Sequence, residues 1–333
     1  MTSSLHHALI AEIGSVHDGS FGNACKLIEA AAASGADVVK FQTHIATAET
    51  LRNAPLPPYF KGEPRFEYFE RTGFSKDRWR ELKAQCVQSK VGFLSSPFSL
   101  EAVDLLEEVG VDIYKIPSGE TTNTPLLEHI AQTKKPVLLS TGMSDWAEID
   151  QAMVALSQGG PICVMQCTSA YPCPPERVGL NVLSEMRQRY NIPVGFSDHT
   201  LGAAAAFAAA ALGADVIEKH FTFSRLMYGS DAVNSMEPPE FRTFSQGLRE
   251  IWTMRDHPVD KNDLAPYRDM KRIFEKSVVT AADLSAQHRL TFKDLAFKKP
   301  GDGIPAALWR DLVGRQLRHA LPADTKISED DLI

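Results

Sequence analysis

Residues 194–221 read VGFSDHTLGAAAAFAAAALGADVIEKHF, and this stretch decides the architecture. Val194–Ser197 is a short, mostly apolar run that breaks into polar residues at Asp198-His199-Thr200. Ala203–Leu212 lacks proline and is nearly all alanine, the strongest helix former. Gly213 follows, where a left-handed helix cap is wanted, and Val216–Phe221 is a second strand-like run. Strand, helix and strand in so short a stretch make a βαβ unit, whose strands run parallel.

The same beat extends to the N-terminus. Expected strands are Ala8–Ile13, Val38–Thr43, Gly92–Ser96, Ile113–Ser118, Val137–Thr141 and Cys163–Cys167, followed by the two above. Amphipathic or alanine-rich helices separate them, among them Asn23–Ser34, Asp77–Ser89, Leu100–Val109, Pro125–Gln132, Ala147–Ser157, Asn181–Arg189 and Pro239–Met254. Gly35, Gly110 and Gly160 stand at helix ends as Gly213 does. Eight such units in series favour a closed (β/α)8 TIM barrel over an open sheet. Ile45–Thr72, with Pro55, Pro57, Pro58 and Pro64, is too long for a simple connection and reads as an active-site loop or lid.

The beat stops after residue 254. Residues 255–270 are polar, contain Pro258 and Pro266, and read as a linker between a barrel domain (1–254) and a small β-rich domain (271–333). In the latter, Ser277–Thr280, Leu290 with Thr291, and Leu295–Phe297 read as strands, Asp302–Ile304 as a loop and Pro305–Leu312 as a short helix.

Composition narrows the function. The 333 residues carry 35 Lys plus Arg against 42 Asp plus Glu, a net charge of −7, with no basic block to hold nucleic acid. Met1–His7 lacks a signal-peptide pattern. Leu201–Ala211 is far shorter than the ~20 residues that a bilayer requires. A cytoplasmic protein with no membrane association is expected. Five scattered cysteines without a CxxC pair read as free thiols.

Function in a parallel barrel gathers at the C-terminal strand ends. His199 and His220 lie 21 residues apart, one βα unit, on adjacent strand ends. A lone histidine on a strand is usually structural, but two in register suit a divalent ion with open coordination positions. Glu12 and Asp231 could complete or orient that sphere. Lys40 and Lys115, with Ser96, Ser118, Ser140 and Ser197 on the same rim, suit phosphate and carboxylate oxygens, as in a phosphoenol acid.

With these residues assembled, the chain resembles the sialic acid synthase family, which makes N-acetylneuraminate, legionaminate and pseudaminate. The resemblance rests on Ala-Glu-Ile-Gly at 11–14, Val-Val-Lys-Phe-Gln-Thr at 38–43, Ser-Ser-Pro-Phe at 95–98 and Tyr-Lys-Ile-Pro-Ser-Gly-Glu at 114–120. It continues through Leu-Ser-Thr-Gly-Met at 139–143, Cys-Thr-Ser-Ala-Tyr-Pro at 167–172, Gly-Phe-Ser-Asp-His-Thr at 195–200 and Glu-Lys-His-Phe at 218–221. Lys298-Lys299-Pro300-Gly301 matches a segment of the antifreeze-like SAF (β-clip) domain that follows the barrel in that family.

The resemblance implies condensation of phosphoenolpyruvate with an N-acetylated amino-sugar aldehyde. That aldehyde is N-acetylmannosamine or a 2,4-diacetamido-6-deoxy hexose. It further implies Mn2+, or Mg2+ or Co2+, on His199 and His220. Lys40, Ser96, Lys115, Ser118, Ser140, Ser169 and Ser197 would hold phosphoenolpyruvate. Gln42, Glu120, Tyr171, Asp231 and Lys299 would face the sugar, and Glu12 would position the metal or the reacting water. A domain-swapped homodimer is implied as well. Ser169 stands where N-acetylneuraminate synthases tend to carry Asn, and Lys299 where the family has Arg. Two other readings of the same residues are a metal-assisted or Schiff-base aldolase and a non-catalytic sugar-binding protein.

Overall fold

The structure is a computed structural model that describes residues 6–55 and 62–333. Pro57 and Pro58 of the expected loop, and Met1–Leu5 of the N-terminal start, lie outside the described residues. The chain divides into two compact units, Met1–His257 and Pro258–Ile333.

The first unit is a closed barrel of eight parallel strands in sequence order. They are β1 (Ala8–Gly14), β2 (Val38–Thr43), β3 (Gly92–Pro97), β4 (Tyr114–Ile116), β5 (Val137–Ser140), β6 (Ile162–Cys167), β7 (Val194–Asp198) and β8 (Val216–His220). Helices α1 (Phe21–Ala33), α2 (Ala46–Glu49), α3 (Arg65–Thr72), α4 (Lys76–Gln88), α5 (Leu100–Val109) and α6 (Thr124–Gln132) occur in its first half. Helices α7 (Trp146–Leu156), α8 (Leu180–Tyr190), α9 (Ala204–Ala211) and α10 (Pro238–Asp256) complete it. No helix among the described residues is long and apolar enough to cross a membrane.

Side chains alternate between the two faces of each strand, and this alternation builds the site. Outward residues such as Leu9, Val39, Phe41, Tyr114 and Ile217 pack on the helices in the largest core cluster. Inward residues Ala8, Ile10, Val38, Leu94, Leu138, Cys163, Met165 and Val216 form a separate apolar plug inside the barrel. Two residues farther along most strands the inward positions become polar: Ile10 gives way to Glu12, Val38 to Lys40, Leu94 to Ser96, Leu138 to Ser140 and Val216 to Glu218. The plug is a dry floor beneath an ionic layer.

Several expectations need correction. β4 ends at Ile116 rather than Ser118, because Pro117 has no N–H for the ladder, and Ser118–Glu120 forms a 3-10 turn. Gly35, Gly110 and Gly213 adopt φ of +93°, +82° and +101° as caps should. Gly160 does not have a positive φ; a Cβ there would meet Lys135 O at 2.3 Å, so close backbone approach requires the glycine. The Ile45–Thr72 segment is not all loop, since α2 and α3 lie within it.

The second unit contains α11 (Arg268–Phe274), an antiparallel pair β9 (Ser277–Thr280) and β10 (Leu295–Lys298), and α12 (Trp309–Leu312). Leu290 and Thr291 do not form a strand. Leu290 is instead a core side chain packed with Val278, Leu295, Leu317 and Ile327, and neighbouring Arg289 makes an isolated bridge to Gln316. The expected 255–270 linker contains the last turn of α10 and the start of α11.

Candidate active site

A cavity of about 600 Å³ opens at the C-terminal end of the barrel. Glu12, Lys40, Gln42, Lys115, Ser118, Glu120, Ser140, Ser169, Tyr171, Ser197, His199, His220 and Asp231 all line it. Ser96 is buried beside it, 3.5 Å from Lys40 Nζ. Lys299 belongs to the other unit, where its ammonium lies 4.7 Å from the Phe274 ring centre. A groove of about 610 Å³ on the outer surface between α6 and α7 has no comparable convergence of buried charge.

Four buried charges occupy the cavity floor. Lys40 Nζ lies 2.9 Å from Glu12 Oε2 and 3.6 Å from Glu218 Oε1. Lys115 Nζ lies 3.9 Å from Glu218 Oε1 and donates to Ser140 Oγ at 2.6 Å. Ser197 donates to Glu218 at 3.0 Å. Burial opposes charge on Lys40, but Glu12 and Glu218 outweigh it and raise its pKa. At Lys115 burial prevails, with Lys40 adding to it, and the pKa is lowered. Glu218 is buried too, yet Lys115 and Lys40 keep its carboxyl well below the usual range. The quartet is close to neutral overall.

The two imidazoles meet above this layer, with ring centres 5.5 Å apart. His199 Nδ1 donates to Thr168 O at 2.8 Å, so in the neutral ring Nε2 is the atom open to a ligand. Burial opposes charge on this ring, but Cys167 and the Thr168 carbonyl outweigh it and raise its pKa, so a bound ion would have to displace a proton. His220 Nδ1 is buried without a hydrogen-bond partner, 4.0 Å from Asp231 Oδ2. Burial lowers the His220 pKa and favours the neutral ring that binds metals. This donor set fits a divalent ion.

His6, His7 and Asp215 form another cluster of metal-ligating type, with ligand atoms within 4.8 Å of one another. It lies at the opposite, N-terminal end of the barrel. Arg255 already donates to Asp215 Oδ1 at 2.7 Å and to the His7 ring, so a cation occupies that place.

Backbone geometry completes the rim. Gly14, at φ +54°, lies against Asp231, Gln42 and Glu12; a Cβ there would come within 3.0 Å of Asp231 Oδ2. A Cβ on Gly142 would meet Ser169 Oγ at 2.6 Å, Cys167 Sγ at 2.7 Å and Ser118 Oγ at 2.9 Å. The Gly142 N–H donates to Ser118 Oγ at 2.9 Å. Tyr171 packs on His199 with ring centres 4.3 Å apart.

Sequence reasoning overlooked Glu218 as a site residue, although it precedes His220 by two on the same strand face. Arg65, Phe69, Phe98, His44 and Met143 also line the cavity. Arg65 and Phe69 sit on α3, one turn apart, inside a segment that read as loop.

The family model described as the NeuB family matches residues 27–260, and a SAF domain matches 275–333. The chain belongs to the NeuB family. It is 36% identical over 334 residues to N,N'-diacetyllegionaminic acid synthase of Campylobacter jejuni, covering 98% of each chain. It is 33% identical over 340 residues to the synthase of the same name from Legionella pneumophila, covering 98% of this chain and 94% of that protein. The solved N-acetylneuraminic acid synthetase of Leptospira borgpetersenii superposes with a TM-score of 0.71 at 28% identity, over 80% of this chain and 91% of that one. The chain is thus an enzyme of the sialic-acid-synthase class, whose shared reaction is a phosphoenolpyruvate-dependent condensation.

Proposed function

We propose that the cavity joins phosphoenolpyruvate to a 2,4-diacetamido-6-deoxy hexose, in its aldehyde form, to give a nine-carbon sialic-acid-type sugar acid. The observation that carries the reaction is the buried Glu12–Lys40–Glu218–Lys115 quartet beside the His199–His220 pair at one barrel mouth. Phe69, Phe98 and Met143 line the same cavity and offer apolar surface to a second acetamido methyl and a 6-deoxy carbon, which favours this sugar over N-acetylmannosamine.

Lys40 and Lys115 grip the phosphate and carboxylate, with Ser96, Ser118, Ser140, Ser169 and Ser197 supplying hydroxyls around them. Gln42, Glu120, Tyr171 and Asp231 face the sugar. His199 and His220 would hold a divalent ion of the Mn2+, Mg2+ or Co2+ kind, which supplies positive charge and polarises a carbonyl oxygen. The enol carbon attacks the aldehyde carbon and forms the new C–C bond. Water adds to the carbon bearing the phosphate ester and gives a proton to Glu12, which Lys40 and Gln42 hold in position. Glu12 passes that proton to the alkoxide left on the former aldehyde oxygen. The bond from the ester carbon to the phosphate oxygen then breaks as the added hydroxyl becomes the ketone carbonyl, and phosphate takes the hydroxyl proton and leaves against the two lysines.

The C-terminal SAF unit, through Lys299, is proposed to serve the site of a second copy in a domain-swapped homodimer in the cytoplasm. Barrel, linker and SAF domain are taken as 1–254, 255–270 and 271–333. Phosphate release from phosphoenolpyruvate, with the diacetamido sugar or N-acetylmannosamine and with or without Mn2+, tests the reaction. Turnover is expected with the diacetamido sugar and metal. No release with either sugar would defeat the reading.

A further inference from the structure

Beside Gln42, three rings stack at the cavity wall. His44 lies between Phe69, 3.7 Å away and tilted by 8°, and Phe98, 4.1 Å away and tilted by 21°. Its edge is held at both nitrogens: Nδ1 is 2.7 Å from Glu49 Oε1, and Nε2 is 3.1 Å from Gln42 Oε1. The side chains of His44 and Glu49 are 3% and 5% exposed.

The protons in this arrangement can be counted. Gln42 Nε2 donates to Glu12 Oε1 at 2.8 Å, and Glu12 is paired with Lys40. An ionised carboxylate only accepts, so the amide nitrogen must face Glu12 and the amide oxygen must face His44. An amide oxygen also only accepts, so His44 Nε2 carries a hydrogen. The 2.7 Å contact between Nδ1 and Glu49 requires a proton there as well. Imidazole is a stronger base than a carboxylate, so that proton resides on the ring. Aromatic faces on both sides stabilise the resulting cation.

We infer that His44 is held as an imidazolium and acts as a positioning residue, locking the Gln42 amide and through it the Glu12 carboxylate. Glu49 supplies the counter-charge. Its other oxygen, Oε2, is buried without a hydrogen-bond partner, so the His44 contact is what offsets its burial. Without His44 the amide is free to turn its oxygen toward Glu12, which replaces a donor with a repelling acceptor. The positioning role rests on the reaction proposed above; the protonation of the ring does not.

The test uses the full chain labelled with 15N-histidine. Long-range proton–nitrogen correlation at pH 7.5 reads both ring nitrogens, with His44 assigned by its loss in His44→Phe. Both nitrogens are expected to bear protons in the wild type, and the charge is expected to disappear in Glu49→Gln. A wild-type ring with one bare nitrogen overturns the inference. In turnover, Glu49→Gln and His44→Phe should lower kcat on the order of tenfold, with the phosphoenolpyruvate KM changed by less than about twofold. Unchanged kcat in both variants overturns the positioning role. If His44→Phe does not fold, Glu49→Gln preserves the packing shape and carries both assignment and rate. A wild-type chain that releases no phosphate would sink the reaction instead, and the nitrogen spectrum would still decide the imidazolium.

Discussion

Lys115 is fully buried, and among the described residues the carboxylate within 4 Å of it is Glu218, at 3.9 Å. Lys115→Met is expected to raise the phosphoenolpyruvate KM roughly 10- to 100-fold, the scale of one lost charge-assisted hydrogen bond, while moving the sugar KM little. Steady-state kinetics with each substrate varied would expose a misassigned anion site through the reverse pattern. His17 makes a different prediction. Burial, helped by His44, pushes its pKa down from 6.5 to about 4. The unfolded chain therefore takes up this proton first as the solution is acidified. The stability due to the neutral ring is whole above about pH 6.5 and is lost as the pH falls toward 4, up to about 3 kcal/mol. Urea denaturation across that range should show the loss in the wild type and less of it in His17→Phe. Most of the cavity residues were legible before the structure because they end apolar strands. Glu218 was given no role, since its reach to Lys40 and Lys115 depends on which way β8 faces inside the closed barrel.

Between elements, β7 and β8 are joined on the side away from the cavity by Lys219 and Asp198, both fully buried and 2.8 Å apart. Lys219 also donates to Gly202 O at 2.9 Å and to Thr200 O, tying down the loop that follows His199. Lys219→Met leaves the buried Asp198 carboxylate with the Thr200 N–H but without its counter-charge and should cost about 3–5 kcal/mol. Adding Asp198→Leu should recover part of that loss. Chemical denaturation of the single and double variants checks the sign, and equal losses in both would mean that the pair is not the cause. The strands and barrel helices were readable from hydrophobic period and glycine caps. The departures arose where a single residue changed the hydrogen bonding, as at Pro117, or where packing claimed a residue that looked strand-like, as at Leu290.

At the scale of the molecule, each unit has its own core: the barrel clusters in one, and Val278, Leu290, Leu312, Leu317 and Ile327 in the other. Truncation at Met270 should therefore leave the barrel's thermal unfolding in place. It should raise the sugar KM while the phosphoenolpyruvate KM stays near its full-length value. An unchanged sugar KM would remove the proposed role of the SAF unit at the site of a second copy. Eight short, mostly apolar runs, each ending in polar residues and followed by a helical stretch, were enough to favour a closed parallel barrel over an open sheet and to put lysines, serines and two histidines at its mouth, because strand, helix and cap signals are local properties of the chain. Tertiary structure alone decided which charges neutralise one another, how near the two imidazoles come, and that His44 is gripped between two rings and two oxygens. Those facts depend on distances between residues far apart in sequence, and only the closed barrel sets such distances.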